Sequence, residues 1–230
     1  MTFTYRLVTN TIKTLTVILC RIDTESLERI PKQGPLILVC NHINFLEAPL
    51  MYTHLQPRPV TGFAKIETWD SPILGPLFDL WGAIPLRRGS ADMTALREGL
   101  AALKKGYIVA ISPEGTRSGD GRLRKGHPGV VTFALQSNAP LLPVVYYGGE
   151  KFKNNLRRLR RTDFHIRVGN SFTINTQGVK VTRDVRRQIT DEIMFQLAAL
   201  LPKEYRGVYN DLGGATRGFI NYKDLKILPE

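Results

Sequence analysis

From residue 30 onward, short unbroken apolar runs alternate with stretches whose apolar residues recur at helical spacing, and that order specifies an α/β architecture. Residues 36–40, Leu-Ile-Leu-Val-Cys, are apolar at every position after Gly34-Pro35, as in a strand covered on both faces. Residues 61–64, 83–86, 107–111 and 141–146 read as further strands, and 164–174 as an edge strand. Residues 47–55, 91–105, 130–136 and 182–201 read as helices. Segment 91–105 aligns Met93, Leu96, Leu100 and Leu103 on one face and stops at Gly106. Segment 182–201 does the same with Val185, Ile189, Ile193 and Leu197. The expected fold is a largely parallel mixed sheet flanked by helices, with its ligand crevice at the carboxyl ends of the strands.

Residues 1–29 read as a separate N-terminal helical element, and 30–230 as the main domain. Segment 3–22 is mostly apolar but carries Arg6 and Lys13, and threonine recurs at positions 2, 4, 9, 11, 14 and 16. Its apolar part, 15–20, falls far short of the ~20 residues that cross a bilayer. The small-residue cleavage site of a signal peptide is missing. An amphipathic helix lying at a membrane interface is expected, with a helix packed on the core as the open alternative.

Charge narrows the partners. Lys and Arg number 32 against 20 Asp and Glu, a formal net charge of +12 with a pI near 9.9, so an anionic partner is expected. Basic residues concentrate in 151–167: Lys151, Lys153, Arg157, Arg158, Arg160, Arg161 and Arg167 face Asp163 alone, with Leu156 and Leu159 between them. This segment is expected to dock on an anionic membrane surface. No nucleic-acid-binding motif accompanies it, so no nucleic acid is expected. Cys20 and Cys40 form neither a disulfide framework nor a zinc spacing and suit a reducing compartment. The reading is a peripheral protein on the cytoplasmic face of the cell membrane, without a metal.

Three short motifs carry chemistry. In Asn41-His42-Ile43-Asn44-Phe45-Leu46-Glu47, a histidine follows a buried strand and a carboxylate follows five positions later. A hydroxyl attacks poorly until a positioned base takes its proton, and a carboxylate on the far ring nitrogen fixes the imidazole tautomer. A solitary pair of this kind is also common in purely structural settings. Ser112-Pro113-Glu114-Gly115-Thr116-Arg117-Ser118 runs from a strand into a turn bearing a guanidinium suited to phosphate, or else an ordinary solvated loop. Gly82-Ala83-Ile84-Pro85-Leu86-Arg87-Arg88-Gly89 brings two arginines to a strand's end. Cys40 shares a strand face with His42, so a Cys–His pair competes with a buried core cysteine.

Taken together the motifs resemble the glycerolipid acyltransferase family, specifically the 1-acylglycerol-3-phosphate acyltransferases. That family's pattern of Asn-His, four residues, then Asp is matched by Asn41-His42…Glu47, with Glu where Asp is usual. Its arginine–glycine block is matched by Arg88-Gly89, and Phe-Pro-Glu-Gly-Thr-Arg-Ser by 113–118, with Ser112 replacing the Phe. Leu142-Pro143-Val144 matches the proline-bearing strand, and Ala64-Lys65 and Lys125-Gly126 are smaller echoes. The resemblance covers roughly residues 30–150. It implies a thioester donor (acyl-CoA or acyl carrier protein), a lysophosphatidate-like acceptor, no bound cofactor, and phosphatidic acid as product. His42 would be the base, oriented by Glu47. Arg88, Arg117 and Lys65, with the Gly115 and Thr116 backbone, would hold the acceptor, and Glu114 would brace the turn within that site. Another lysolipid acceptor is the first alternative, and a catalytically weak lipid-binding protein, disabled by the longer Glu47, the second.

Overall fold

The computed structural model describes residues 2–89 and 92–222. Ala91, expected to open a helix, and the last eight residues of the main domain lie outside them. Helix α1 (Phe3–Leu19) runs directly into strand β1 (Cys20–Asp23), and β2 (Leu36–Cys40) follows after a short helical turn. Then come α2 (Glu47–His54), β3 (Val60–Lys65), α3 (Leu74–Leu80), β4 (Ile84–Leu86) and α4 (Met93–Lys104). The chain continues through β5 (Ile108–Ile111), α5 (Gly129–Ser137), β6 (Leu141–Tyr147), a short α6 (Phe152–Arg157) and β7 (Thr162–Val168). It finishes with β8 (Thr173–Ile174), α7 (Arg183–Leu200) and β9 (Ile220–Asn221).

Seven strands form one sheet in the order β1-β7-β6-β2-β5-β3-β4. Every neighbouring pair is parallel except β6–β7. The expected fold class is therefore present. Because side chains alternate across a strand, β2 feeds two cores. Leu36, Leu38 and Cys40 join Leu50 and Met51 of α2 and Trp81 on one face. Ile37 and Val39 join Val130 and Phe133 of α5 and Ile189, Ile193 and Leu197 of α7 on the other. A strand apolar at every position is what such double coverage requires.

Three expectations change. The N-terminal helix stops at Leu19, and Cys20–Asp23 becomes an outer strand of the sheet, its Cys20 registered with Thr162. No basic side chain stands in the last turn of α1 to meet its free carbonyls. Arg161 does so instead, donating to the Val17 and Cys20 oxygens at 2.6 and 2.7 Å. Segment 164–174 is not one edge strand. It splits at Gly169, where a Cβ would come within 2.7 Å of Pro143, and β7 is interior because β1 covers it. Finally, α3 adds a helix to a stretch for which the sequence reading names no element. Pro76 falls in the first turn, where its missing N–H costs no helical bond.

Candidate active site

Adjacent strands β2 and β5 send their continuing chains to opposite faces: α2 packs in one core and α5 in the other. Loops that diverge in this way, at the carboxyl edge of the sheet, are where open α/β folds place their ligand sites. His42 follows β2, Glu114–Arg117 follow β5, Lys65 ends β3 and Arg88 follows β4. The strand order β2-β5-β3-β4 thus lays these groups along one edge, and the roughly 4.8 Å strand spacing puts Arg88 on the order of 14 Å from His42.

The His42 loop is held on every side. Asn41, buried, donates to the Tyr146 carbonyl and accepts the Tyr146 N–H, both at 2.8 Å. Its carboxamide thereby replaces the next peptide of β2 in the ladder with β6, freeing the backbone to turn outward at His42. The His42 and Ile43 carbonyls accept the N–H groups of Ser118 and Gly119 at 2.7 and 3.0 Å, which joins this loop to the one after β5. Asn44 donates its side-chain amide to the Gly149 carbonyl at 2.7 Å, anchoring the loop to the chain after β6.

Within this frame, His42 Nδ1 lies 3.1 Å from Glu47 Oε2. The Glu47 side chain is only 6% exposed, and both its oxygens accept the Asn44 N–H at 3.2 Å. The extra methylene of Glu47 therefore reaches the ring without displacing it. A carboxylate on Nδ1 selects the Nδ1–H tautomer and leaves Nε2 with its lone pair, on a side chain 25% exposed. That is the configuration of a general base.

The loop after β5 carries Glu114, the residue expected to brace this turn. This residue is 2% exposed. Its Oε1 accepts the His42 N–H at 2.9 Å and its Oε2 the Arg124 N–H at 2.8 Å. Glu114 thus fixes the backbone at His42 and at Arg124. Burial pushes its carboxyl up to about 7, against the opposing pull of those two N–H donors.

Gly115 has φ +65°, and a Cβ there would meet the His127 ring at 3.3 Å, so glycine meets both demands of this turn. His127 donates its N–H to the Pro113 carbonyl at 2.8 Å. Neither His127 nor the Asn41 bridge was singled out from the sequence. Their only signals were Asn41 preceding His42 and Lys125-Gly126 preceding His127. Gly115, Thr116 and Arg117 are exposed, as is Arg88. Among the described residues neither Arg88 nor Arg117 has an ion-pair partner. Lys65 does, with Glu67 at 3.2 Å. Cys40 is a core residue: its thiol is buried, pushed far up by desolvation, and directed at the Ile111 carbonyl at 3.8 Å.

Comparison with known proteins agrees with this geometry. Residues 21–147 match the model of the family described as Acyltransferase. The chain is 32% identical over 135 residues to the chloroplastic 1-acyl-sn-glycerol-3-phosphate acyltransferase BAT2 of Brassica napus, covering 57% of this chain and 38% of that one. It is 25% identical over 155 residues to the 1-acyl-sn-glycerol-3-phosphate acyltransferase of Bacillus subtilis, covering 67% and 76% respectively. It is 32% identical over 115 residues to the lyso-ornithine lipid O-acyltransferase of Pseudomonas aeruginosa, covering 50% and 43%. It thus spans less than half the length of the plant and Pseudomonas relatives. The crystal structure of the 1-acyl-sn-glycerophosphate acyltransferase PlsC from Thermotoga maritima shares the fold, with a TM-score of 0.63 at 22% identity over 85% of this chain and 78% of that one. With more than half of its length matched by the family model, the chain belongs to the acyltransferase family.

Proposed function

We propose that this protein transfers a fatty acyl group from a thioester, acyl-CoA or acyl carrier protein, to the free hydroxyl of lysophosphatidate, giving phosphatidic acid for phospholipid synthesis. The observation that carries the reading is the His42–Glu47 pair at 3.1 Å, with its open ring nitrogen beside a loop bearing Arg117. His42 Nε2 takes the proton of the acceptor hydroxyl as its oxygen attacks the thioester carbonyl. Collapse of the tetrahedral species expels the thiolate, which takes the proton back from the imidazolium, so the base is restored without an acyl-enzyme. Arg117 and Arg88 are the guanidinium groups available to grip the acceptor phosphate in a bidentate fork, and Lys65 lies on the edge between them. Glu47 stabilises the imidazolium while it lasts. The well-formed His42–Glu47 contact counts against a catalytically weak lipid-binding protein.

A lyso-aminolipid acceptor is the second reading, favoured by the likeness to the Pseudomonas lyso-ornithine lipid enzyme. The two readings part at the phosphate, because an aminolipid acceptor makes Arg117→Ala harmless.

Acceptors of either kind reside in membranes, and α1 supports peripheral attachment. No helix among the described residues is long and apolar enough to cross a membrane. Yet Phe3, 81% exposed, Leu7, Leu15 and Ile18 stand outward, while Thr9 and Thr16 face the protein. Outward apolar residues edged by Arg6 and Lys13 suit a helix lying in the headgroup boundary. The proposed location is the cytoplasmic face, where Cys20 and Cys40 remain thiols.

The deciding experiment is transfer from labelled acyl-CoA to lysophosphatidate in detergent micelles, by wild type and His42→Ala. Loss on the order of 1,000-fold in a folded mutant is expected. Equal rates would remove His42 from the mechanism, and transfer to lyso-ornithine lipid alone would favour the second reading.

A further inference from the structure

The turn after α6 places a leucine where the backbone selects against one. Arg158 closes the helix, Leu159 follows at φ +52°, and Arg160 comes next. Leu159 N–H bonds the Leu156 carbonyl at 3.0 Å and Arg160 N–H the Asn155 carbonyl at 2.9 Å. This pair of bonds defines a Schellman ending, whose left-handed position is normally glycine because a Cβ there is strained. The occupant instead carries a large apolar side chain, 94% exposed, which buries almost nothing among the described residues to offset that strain. Leu156, one turn back, is also exposed.

The surroundings state what would receive such a side chain. Lys153, Arg157, Arg158 and Arg160 are exposed around it and form no salt bridge with a described residue. The acid of the segment, Asp163, is already paired with Arg21 at 3.0 Å. Arg161 ties the turn to the C-terminal end of α1, where Val17 and Ile18 are exposed. Leucine tips within a ring of unpaired cations complement a bilayer whose surface is anionic and whose interior is apolar.

We propose that the Leu156–Arg160 turn is a second membrane anchor, continuous with α1 and selective for anionic phospholipid. The anchor also orients the active site. Phe152 at the start of α6 stacks edge-on against Phe45 at 5.6 Å, and Gly149 just before it accepts from Asn44. Seating the turn in the headgroups therefore brings the His42 loop to the lipid surface. Two basic residues of the segment are excluded from this role: Arg161 caps α1, and Arg167 is bonded to Asp23.

The test is co-sedimentation of the full chain with phosphatidylcholine vesicles and with equimolar phosphatidylcholine–phosphatidylglycerol vesicles, for wild type, Leu159→Gly and Arg157→Gln/Arg158→Gln/Arg160→Gln. Glycine suits the left-handed backbone, so Leu159→Gly is expected to melt no lower than wild type while binding anionic vesicles about tenfold more weakly. The triple variant is expected to lose on the order of 100-fold on anionic vesicles and little on neutral ones. Both variants should keep acyl transfer in micelles, which separates failure of the anchor from failure of the catalytic reading. Wild-type affinity in Leu159→Gly, or equal binding of wild type to the two vesicles, would overturn the proposal. So would stronger retention on a single-stranded oligonucleotide than on anionic vesicles.

Discussion

Glu47 stands where the pattern this chain resembles has Asp, and the longer side chain is fully engaged. Its carboxylate already touches Nδ1 of His42 and the Asn44 N–H. Shortening it to Asp withdraws the oxygens by ~1 Å, so Glu47→Asp should lower kcat roughly 10- to 100-fold, although it restores the commoner residue. Glu47→Gln should lower kcat by about 100-fold or more with the acceptor KM little changed, because neither tautomer nor imidazolium is then supported. Steady-state kinetics in micelles distinguishes the two. Glu114 makes a prediction about stability. Its folded carboxyl titrates near 7, above the usual carboxylate range, so the folded state holds an extra proton between about pH 4.5 and 7. The stability this brings is fully present below that window and lost as pH rises through it. Urea unfolding should show wild type losing stability over this range relative to Glu114→Gln, whose side chain does not titrate.

At the scale of elements, the site depends on where ladders stop. β2 ends at Cys40, and the Asn41 side chain occupies the next rung against Tyr146. Asn41→Ala leaves a buried N–H and a buried carbonyl of Tyr146 without partners, a cost of about 2–4 kcal/mol. Chemical denaturation should register that loss. The kcat should fall with it, since His42 is the next residue. The strands and main helices were legible because apolar periodicity is local and strong. The strand at 20–23 and the split at Gly169 were not, because each is decided by a distant partner: Arg161 and β7 for one, Pro143 for the other. α3 escaped notice for a different reason, a proline that is harmless only at the helix start.

Across the whole molecule, the +12 charge and the outward apolar face of α1 supply the two weak forces on which the proposed surface attachment rests. Leu7→Glu with Ile18→Glu should weaken binding to neutral vesicles most, because the cations and leucines of the Leu156–Arg160 turn remain to hold anionic ones. Transfer in micelles should survive, since neither residue approaches the site. Vesicle flotation at low and high salt is the check, with wild-type binding weakening as salt rises.

The sequence alone determined the α/β class, the succession of most strands and helices, and the motif order that the fold uses to bring His42, Glu47 and the loop after β5 together. Those properties are written in local hydrophobic period and in motif order. Tertiary structure alone decided what each member does. It turned Glu114 inward onto the His42 backbone, made Asn41 a rung of the sheet, and left Arg88 and Arg117 exposed, with no ion-pair partner among the described residues. It also converted two of seven clustered cations into structural ties. The physical reason is that a side chain's role depends on its burial and partners, and those come from strands more than 70 residues apart in the chain.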